Sequence, residues 1–275
     1  NKYLTDNKFG NGSAHKLRLA FEATTGKDLN WFFNQWYFNN GHPSLIISNS
    51  YDASAEKAMV VIKQTQSNGL FQLPVTIDIY NGANKKRHLV WAKNAADTFY
   101  FSSAKKPDLI NVDADKVLLA EKKETKTIEE YIHQFKYGGH YLDRREAIDM
   151  ASKKISESAA YAIVTAGLND PYFRIRMKAL GSFGDAKLDN TTISMIEKMA
   201  KNDASKLVRA DAIAVLGKLK NVSYTSEFEQ YINDSSYSVA GAALLALNDL
   251  DGKKAYTIAN KLAKEPAKGR LSAAI

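Results

Sequence analysis

The 275-residue chain contains no cysteine. That removes disulfides, thiolate zinc sites and thiol nucleophiles in one step, without choosing between a reducing and an oxidising compartment. Nowhere do the ~18–20 consecutive apolar residues of a bilayer-crossing helix occur, so no membrane span is expected. Neither G-x-G-x-x-G nor G-x-x-x-x-G-K-[ST] is present, and Gly138-Gly139 stands between helical segments rather than after a strand, so no phosphate cradle is visible. G-x-S-x-G is absent as well, which leaves no nucleophile elbow. Histidine is scarce. His15, His42, His88, His133 and His140 never fall three to five residues apart and form no H-E-x-x-H, so no metal ligands and no zinc site are expected within this chain. Asp113-Ala114-Asp115 lacks the loop glycine and further ligands of a calcium loop and reads as a polar turn.

What remains is ordinary globular material, 45% hydrophobic and 25% charged. The length exceeds a typical domain of ~100–150 residues and implies at least one internal boundary. A net charge of +8 invites a nucleic-acid reading. The charge is spread evenly, however, with 14 basic against 10 acidic residues in 1–120 and 24 against 20 in 121–275. Lys85-Lys86-Arg87 is the densest basic run. Nucleic-acid binding needs positive charge concentrated on one face, so no nucleic-acid partner is expected. The chain opens on Asn1-Lys2-Tyr3 without a signal, and Gly269–Ile275 reads as the beginning of a helix, so both ends read as cut.

Three compositions follow one another, and together they predict a multidomain α+β chain: a short helical stub, an antiparallel β-sandwich and an α-helical HEAT-like repeat domain. In residues 1–42, Ser13 can cap a helix carrying Leu17, Ala20 and Phe21, with Gly26 as its stop. Asp28 can cap a second helix that runs to Asn39-Asn40-Gly41. That second helix carries Trp31, Phe32, Phe33, Trp36, Tyr37 and Phe38, six aromatics in eight positions. Each ring seeks ~150–250 Å² of burial, and a stub of this size cannot cover them, so a partner body is expected to pack on Trp31, Phe32, Phe33, Trp36 and Tyr37. In residues 43–120 the period changes from 3.6 to 2. Leu45/Ile47, Met59/Val61, Val75/Ile77/Ile79, Leu89/Trp91 and Phe99/Phe101 alternate between breaks at Asn68-Gly69 and Asn81-Gly82, as the strands of a small immunoglobulin-like sandwich do.

Residues 121–275 are helical and repeat. With Asp170, Asp203 and Asp234 aligned, Ile175, Val208 and Val239 coincide, as do Ala179, Ala212 and Ala243, at intervals of 33 and 31 residues. A weaker copy around Arg144 precedes them. This is the pattern of stacked helix pairs, each unable to bury its apolar face alone. The Asn-Asp pairs at 169–170, 202–203 and 233–234 are candidate N-caps. Arg144, Arg176 and Arg209 recur at one phase and form a candidate ladder. Either they hold a carboxylate or phosphate ligand, or, as is commoner in stacked repeats, they bridge to an acidic cap of the neighbour.

The stretch Thr25-Gly26-Lys27-Asp28-Leu29-Asn30-Trp31-Phe32-Phe33, followed by Gly41-His42-Pro43, resembles the close of the catalytic domain in the zinc aminopeptidase family of aminopeptidase N. The following segment is similar to that family's small sandwich, including Gln64-Thr65-Gln66 and Phe71-Gln72-Leu73-Pro74-Val75, and 121–275 corresponds to its helical C-terminal domain. The resemblance implies a parent metallopeptidase, a hydrolase that removes N-terminal residues from peptides with zinc held by H-E-x-x-H and a later Glu. None of those residues has a counterpart here. It therefore implies that catalytic, metal and cofactor residues are absent from this chain, that zinc belongs to the parent enzyme, and that the partner body is the missing catalytic domain of the same polypeptide. The helical region would then cover the active site and restrict access of peptide substrates to it. The alternative is an independent HEAT-like scaffold that binds a protein or peptide along its concave surface.

Overall fold

The computed structural model describes residues 1–275. They divide into two compact units, Asn1–Thr125 and Lys126–Ile275.

The first unit opens with α1 (Lys2–Asp6), α2 (Ala14–Thr25) and α3 (Asn30–Trp36). The Ser13 side chain accepts the Lys16 N–H at 3.2 Å to start α2, and Gly26, at φ 68°, ends it in the left-handed conformation that costs glycine nothing. The Asp28 carboxylate accepts the Asn30 N–H at 2.8 Å, a turn two residues long, and this makes Leu29 rather than Asp28 the N-cap of α3.

Seven strands follow: β1 (Ser44–Asp52), β2 (Lys57–Gln64), β3 (Leu73–Asn81), β4 (Asn84–Ala92), β5 (Ala96–Ser102), β6 (Leu109–Val112) and β7 (Glu121–Glu124). They form a four-stranded sheet in the order β5-β2-β1-β7 and a three-stranded sheet in the order β4-β3-β6. The chain changes sheet after β2, β4, β5 and β6, the crossing habit of immunoglobulin-like sandwiches. Inward residues Leu45, Ile47, Val60 and Ile62 of the first sheet meet Val75, Ile77, Ile79 and Val112 of the second in one core.

Three details depart from the sequence pattern. β7 pairs parallel with β1, Ser44 beside Glu121, so the sandwich is not purely antiparallel and takes in residues that read as helical. Its sequence Glu-Lys-Lys-Glu has no apolar alternation, and only pairing to the free edge of β1 makes it a strand. In β2 the buried set is Ala58, Val60 and Ile62, not Met59 and Val61; consecutive valines make the phase ambiguous until a facing sheet chooses. In β4, Leu89 and Trp91 lie on the outer face, 65% and 40% exposed.

The second unit is helical throughout: α4 (Ile128–Tyr137), α5 (Tyr141–Ser152), α6 (Ser158–Gly167), α7 (Phe173–Ser182), α8 (Asn190–Asn202), α9 (Lys206–Lys218), a 3-10 turn at Val222–Tyr224, α10 (Thr225–Tyr231), α11 (Tyr237–Leu250), α12 (Gly252–Leu262) and α13 (Gly269–Ala274). Helices α5, α7, α9, α11 and α13 pack in succession, while α6, α8 and α10 pair with α7, α9 and α11 from the other layer. One core runs through the stack, from Ala147 and Ile148 through Ile175, Val208 and Ile213 to Leu244 and Leu271. Neighbouring helices of the α5-to-α13 layer touch closely because small residues stand at their crossings. A methyl added to Gly241 would lie 2.4 Å from the Arg270 carbonyl carbon, and one on Gly217 would lie 2.7 Å from the Ala246 methyl. No helix is long and apolar enough to cross a membrane.

Candidate functional site: an aromatic face and an arginine ladder

α3 divides its rings between the sandwich and solvent. Phe33 is buried, at 4% exposure. Trp31 meets the outward Trp91 of β4 edge-on at 5.4 Å, and Trp36 tilts against Phe71 at 5.2 Å. Gln35 ties the helix to the chain entering β3, accepting the Gln72 N–H at 2.6 Å and donating to the Gln72 carbonyl at 3.2 Å. Of the five rings expected to meet another body, Trp31 and Trp36 therefore pack on the sandwich of their own unit, and Phe33 is buried against Phe32 and Tyr37. Phe32 and Tyr37 remain 43% and 59% exposed, with Phe38 beside Tyr37 equally open. Leu19 and Phe21 of α2 are exposed as well. Phe32, Tyr37 and Phe38 thus leave exposed aromatic surface on one short segment.

The arginines each reach the next repeat. Arg144 Nε donates to Asp170 Oδ2 at 2.6 Å; Arg176 spans Asp203 with bonds of 2.8 and 2.7 Å; Arg209 Nη2 bonds Asp234 Oδ2. The other duty of each aspartate replaces the capping role expected of it. Asp170, Asp203 and Asp234 accept the N–H of Tyr172, Ser205 and Ser236, each at 2.8 Å, and those residues are the N-caps of α7, α9 and α11. One carboxylate thus shapes the turn into its own helix and holds the guanidinium of the preceding repeat. Burial would raise the Asp234 carboxyl, but the Ser236 amide and Arg209 outweigh it and hold the group below the usual carboxylate range. The series stops at Ala240, which stands buried where a fourth arginine would be.

The basic run at Lys85-Lys86-Arg87 is largely neutralised on the outer face of the sandwich. Asp78, 1% exposed, accepts Arg87 Nε at 2.7 Å and Nη2 at 2.9 Å, and Lys85 Nζ at 2.7 Å. Desolvation raises the Asp78 carboxyl, yet the Arg87 and Lys85 bonds prevail and keep it low. Arg87 lies directly opposite Asp78 in the β3–β4 pairing, a relation that two-residue alternation hints at but only the hairpin register reveals. Asp113 is likewise engaged, by Lys122 at 2.7 Å, and Asp115 by Arg87 at 2.8 Å. His42 stands 3.3 Å from Glu121, and His88 packs on Phe101 at 4.5 Å. No three His, Asp or Glu side chains converge on a point where a metal ion could be held. The residues present do not fit a zinc ion.

A family model described as HEAT repeats matches residues 193–275. No curated protein matches the chain in sequence. Among solved structures, the chain is similar to the crystal structure of Legionella pneumophila aminopeptidase A in complex with aspartic acid. Identity is 14%, the TM-score is 0.59, and the match covers 99% of this chain and 35% of that one. The chain spans about a third of the length of that structure. At this identity the likeness is one of fold alone.

Proposed function

We propose that this chain is the non-catalytic C-terminal region of a zinc aminopeptidase whose catalytic domain docks on the exposed part of α2 and α3. The observation that carries the reading is the match of 99% of the chain to about a third of an aminopeptidase, taken with rings left in water beside it. Phe32, Tyr37, Phe38 and Phe21 would be covered by the catalytic body, while Trp31 and Trp36 fasten α3 to the sandwich beneath. The sandwich then acts as a spacer. The helical repeats would cover the active site and restrict the access of peptides, giving selectivity by size rather than by chemistry. Zinc and the peptide-cleaving groups would belong to the catalytic domain, since no side chains here hold a metal.

The test is a pair of assays on aminoacyl-anilides. The 275-residue chain with added zinc is expected to show no turnover above the buffer blank. The product of the full reading frame is expected to cleave, and to cleave long peptides more slowly when the repeats are present than when they are removed. Turnover by the 275-residue chain alone would overturn the proposal. A second reading, favoured by the HEAT match, is a scaffold that binds a protein partner along the repeats; a reading frame that encodes no H-E-x-x-H would select it.

A further inference from the structure

Arg176 uses every nitrogen of its guanidinium: Nε and Nη2 on Asp203, and Nη1 on the carbonyls of Asp170 and Pro171 at 2.9 and 3.1 Å. Arg144 does not. Its Nε is committed to Asp170, its Nη1 reaches the His140 carbonyl only at 3.4 Å, and its Nη2 has no protein partner. The side chain is 20% exposed and borders a cavity of about 440 Å³ between α4 and α6. That volume lies in the ~300–1,000 Å³ range of small-molecule sites.

The cavity walls are apolar: Ile132 and Phe135 from α4, Ala162, Ile163 and Ala166 from α6, and Pro171 beyond it. Ile132 is 39% exposed, so part of this apolar wall is open to an entering group. The polar groups in the lining are Arg144, Lys136, Asn169 and Asp170. The charge of Asp170 is matched by Arg144, and its two oxygens already serve Arg144 Nε and the Tyr172 N–H. Lys136 forms no ion pair; its ammonium lies over the Tyr137 ring, 5.0 Å from the centroid. The balance in the cavity is thus one unmatched positive charge plus a guanidinium N–H₂ with nothing to donate to, set among hydrocarbon.

We infer that this cavity binds an apolar group ending in a carboxylate. The hydrocarbon lies against Ile132, Phe135, Ala162 and Ala166, and the carboxylate accepts from Arg144 Nη2 and Lys136. A charge-assisted bond in partly desolvated surroundings is roughly twice as strong as a neutral one, so the acid should be chosen over its amide. The inference stands on the helical unit by itself and on no step of the aminopeptidase reading. Such a group has two sources, a free organic acid or the C-terminal residue of a peptide.

The experiment is calorimetric titration of the 275-residue chain with four probes: 4-phenylbutanoate, 4-phenylbutanamide, and N-acetyl-Ala-Ala-Phe with a free or an amidated C-terminus. At least one acid is expected to bind about tenfold or more tightly than its amide. The acid that binds more tightly identifies the source. Ala166→Phe, which fills the cavity from an exposed helix position and touches no ladder bond, is expected to abolish binding. Lys136→Gln is expected to erase the preference for acid. Arg144→Gln should do the same, but it leaves buried Asp170 without its partner, so it is read only where circular dichroism shows the helices intact. Equal binding of acid and amide, binding unaffected by Ala166→Phe, or no heat from either acid at millimolar concentration would overturn the inference.

Discussion

Arg176 and Asp203 meet across 27 residues of sequence in a two-pronged ion pair, with Nε on Oδ2 at 2.8 Å and Nη2 on Oδ1 at 2.7 Å. The two side chains are only 14% and 8% exposed. Removing one partner leaves the other charge stranded, at a cost of ~3–5 kcal/mol when burial is complete. Here some solvent remains, so Asp203→Ala is expected to cost about 2–3 kcal/mol. Urea unfolding followed by far-ultraviolet circular dichroism measures it. A companion double variant, Arg176→Met with Asp203→Ala, should lose less than the two single losses added together; simple additivity would show that the pair is uncoupled.

The aromatic helix yields a contrast between neighbours. Phe33 is buried at 4% while Phe32 and Tyr37 face water. Phe33→Ala is expected to cost about 3 kcal/mol, whereas Phe32→Ser and Tyr37→Ser should change stability by no more than about 0.5 kcal/mol. Thermal or urea melts of the three variants decide it. On the docking proposed above, the ranking should change in the product of the full reading frame, with Phe32→Ser and Tyr37→Ser weakening the hold of the proposed catalytic domain as read by limited proteolysis.

Asp78 gives the sandwich an acid limb. Its carboxyl titrates below the ~3.9 of the unfolded chain because Arg87 and Lys85 overcome the cost of burial. The contribution is therefore complete above ~3.9 and is lost as pH falls through the lower folded value. Asp78→Asn should be less stable at neutral pH and show a flatter decline below about pH 4, measured as unfolding free energy against pH.

His88 acts in the other direction. Burial first, then Lys86, push its imidazolium pKa below the usual ~6.5, with Asp78 only partly opposing. Below ~6.5 the unfolded chain takes up a proton that the folded chain refuses, so stability falls as pH drops through that value and levels off beneath the folded pKa. His88→Leu, which keeps a bulky group against Phe101, should remove this decline as pH falls below about 6.5. An unchanged slope would assign the decline to other groups.

Gly241→Ala probes the crossing of α11 and α13. Its methyl would fall 2.4–2.6 Å from backbone atoms of Arg270 and Leu271, which cannot swing aside as a side chain could. The expected loss is about 1–3 kcal/mol, the usual cost of overpacking, and the fluorescence or exchange of the last two helices should change before that of α5 to α9.

The order of stub, sandwich and repeats was legible because each has its own hydrophobic period, and long strongly periodic segments are where such reasoning is surest. The recurrence of Arg144, Arg176 and Arg209 is written in the 31- and 33-residue spacing. That each finds a carboxylate 25 to 27 residues downstream is a matter of how far one helix pair rises over the next, and no local pattern carries it. β7 was illegible for a different reason: four charged residues have no inward face, and the edge of β1 alone recruits them. The outward phase of Leu89 and Trp91 escaped because the outer face of the sheet also receives a helix, so both faces of β4 carry apolar residues. The cavity between α4 and α6 left no motif at all, only an exposed isoleucine and two alanines where tighter packing would have placed bulk.

Ala240 closes the series of arginines, and this gives the array a weak end. Upstream, a disturbance in one helix pair must break a carboxylate that also organises the following turn, so neighbours unfold together. Past Ala240 that relay is interrupted. α13 is fastened by shape at Gly241 and by Arg270 to Asp211 at 2.8 Å, and α12 by a half-exposed bridge from Lys254 to Glu229 of α10. Deuterium should enter those two helices first, and warming should peel them away while the stack from α5 to α11 still stands.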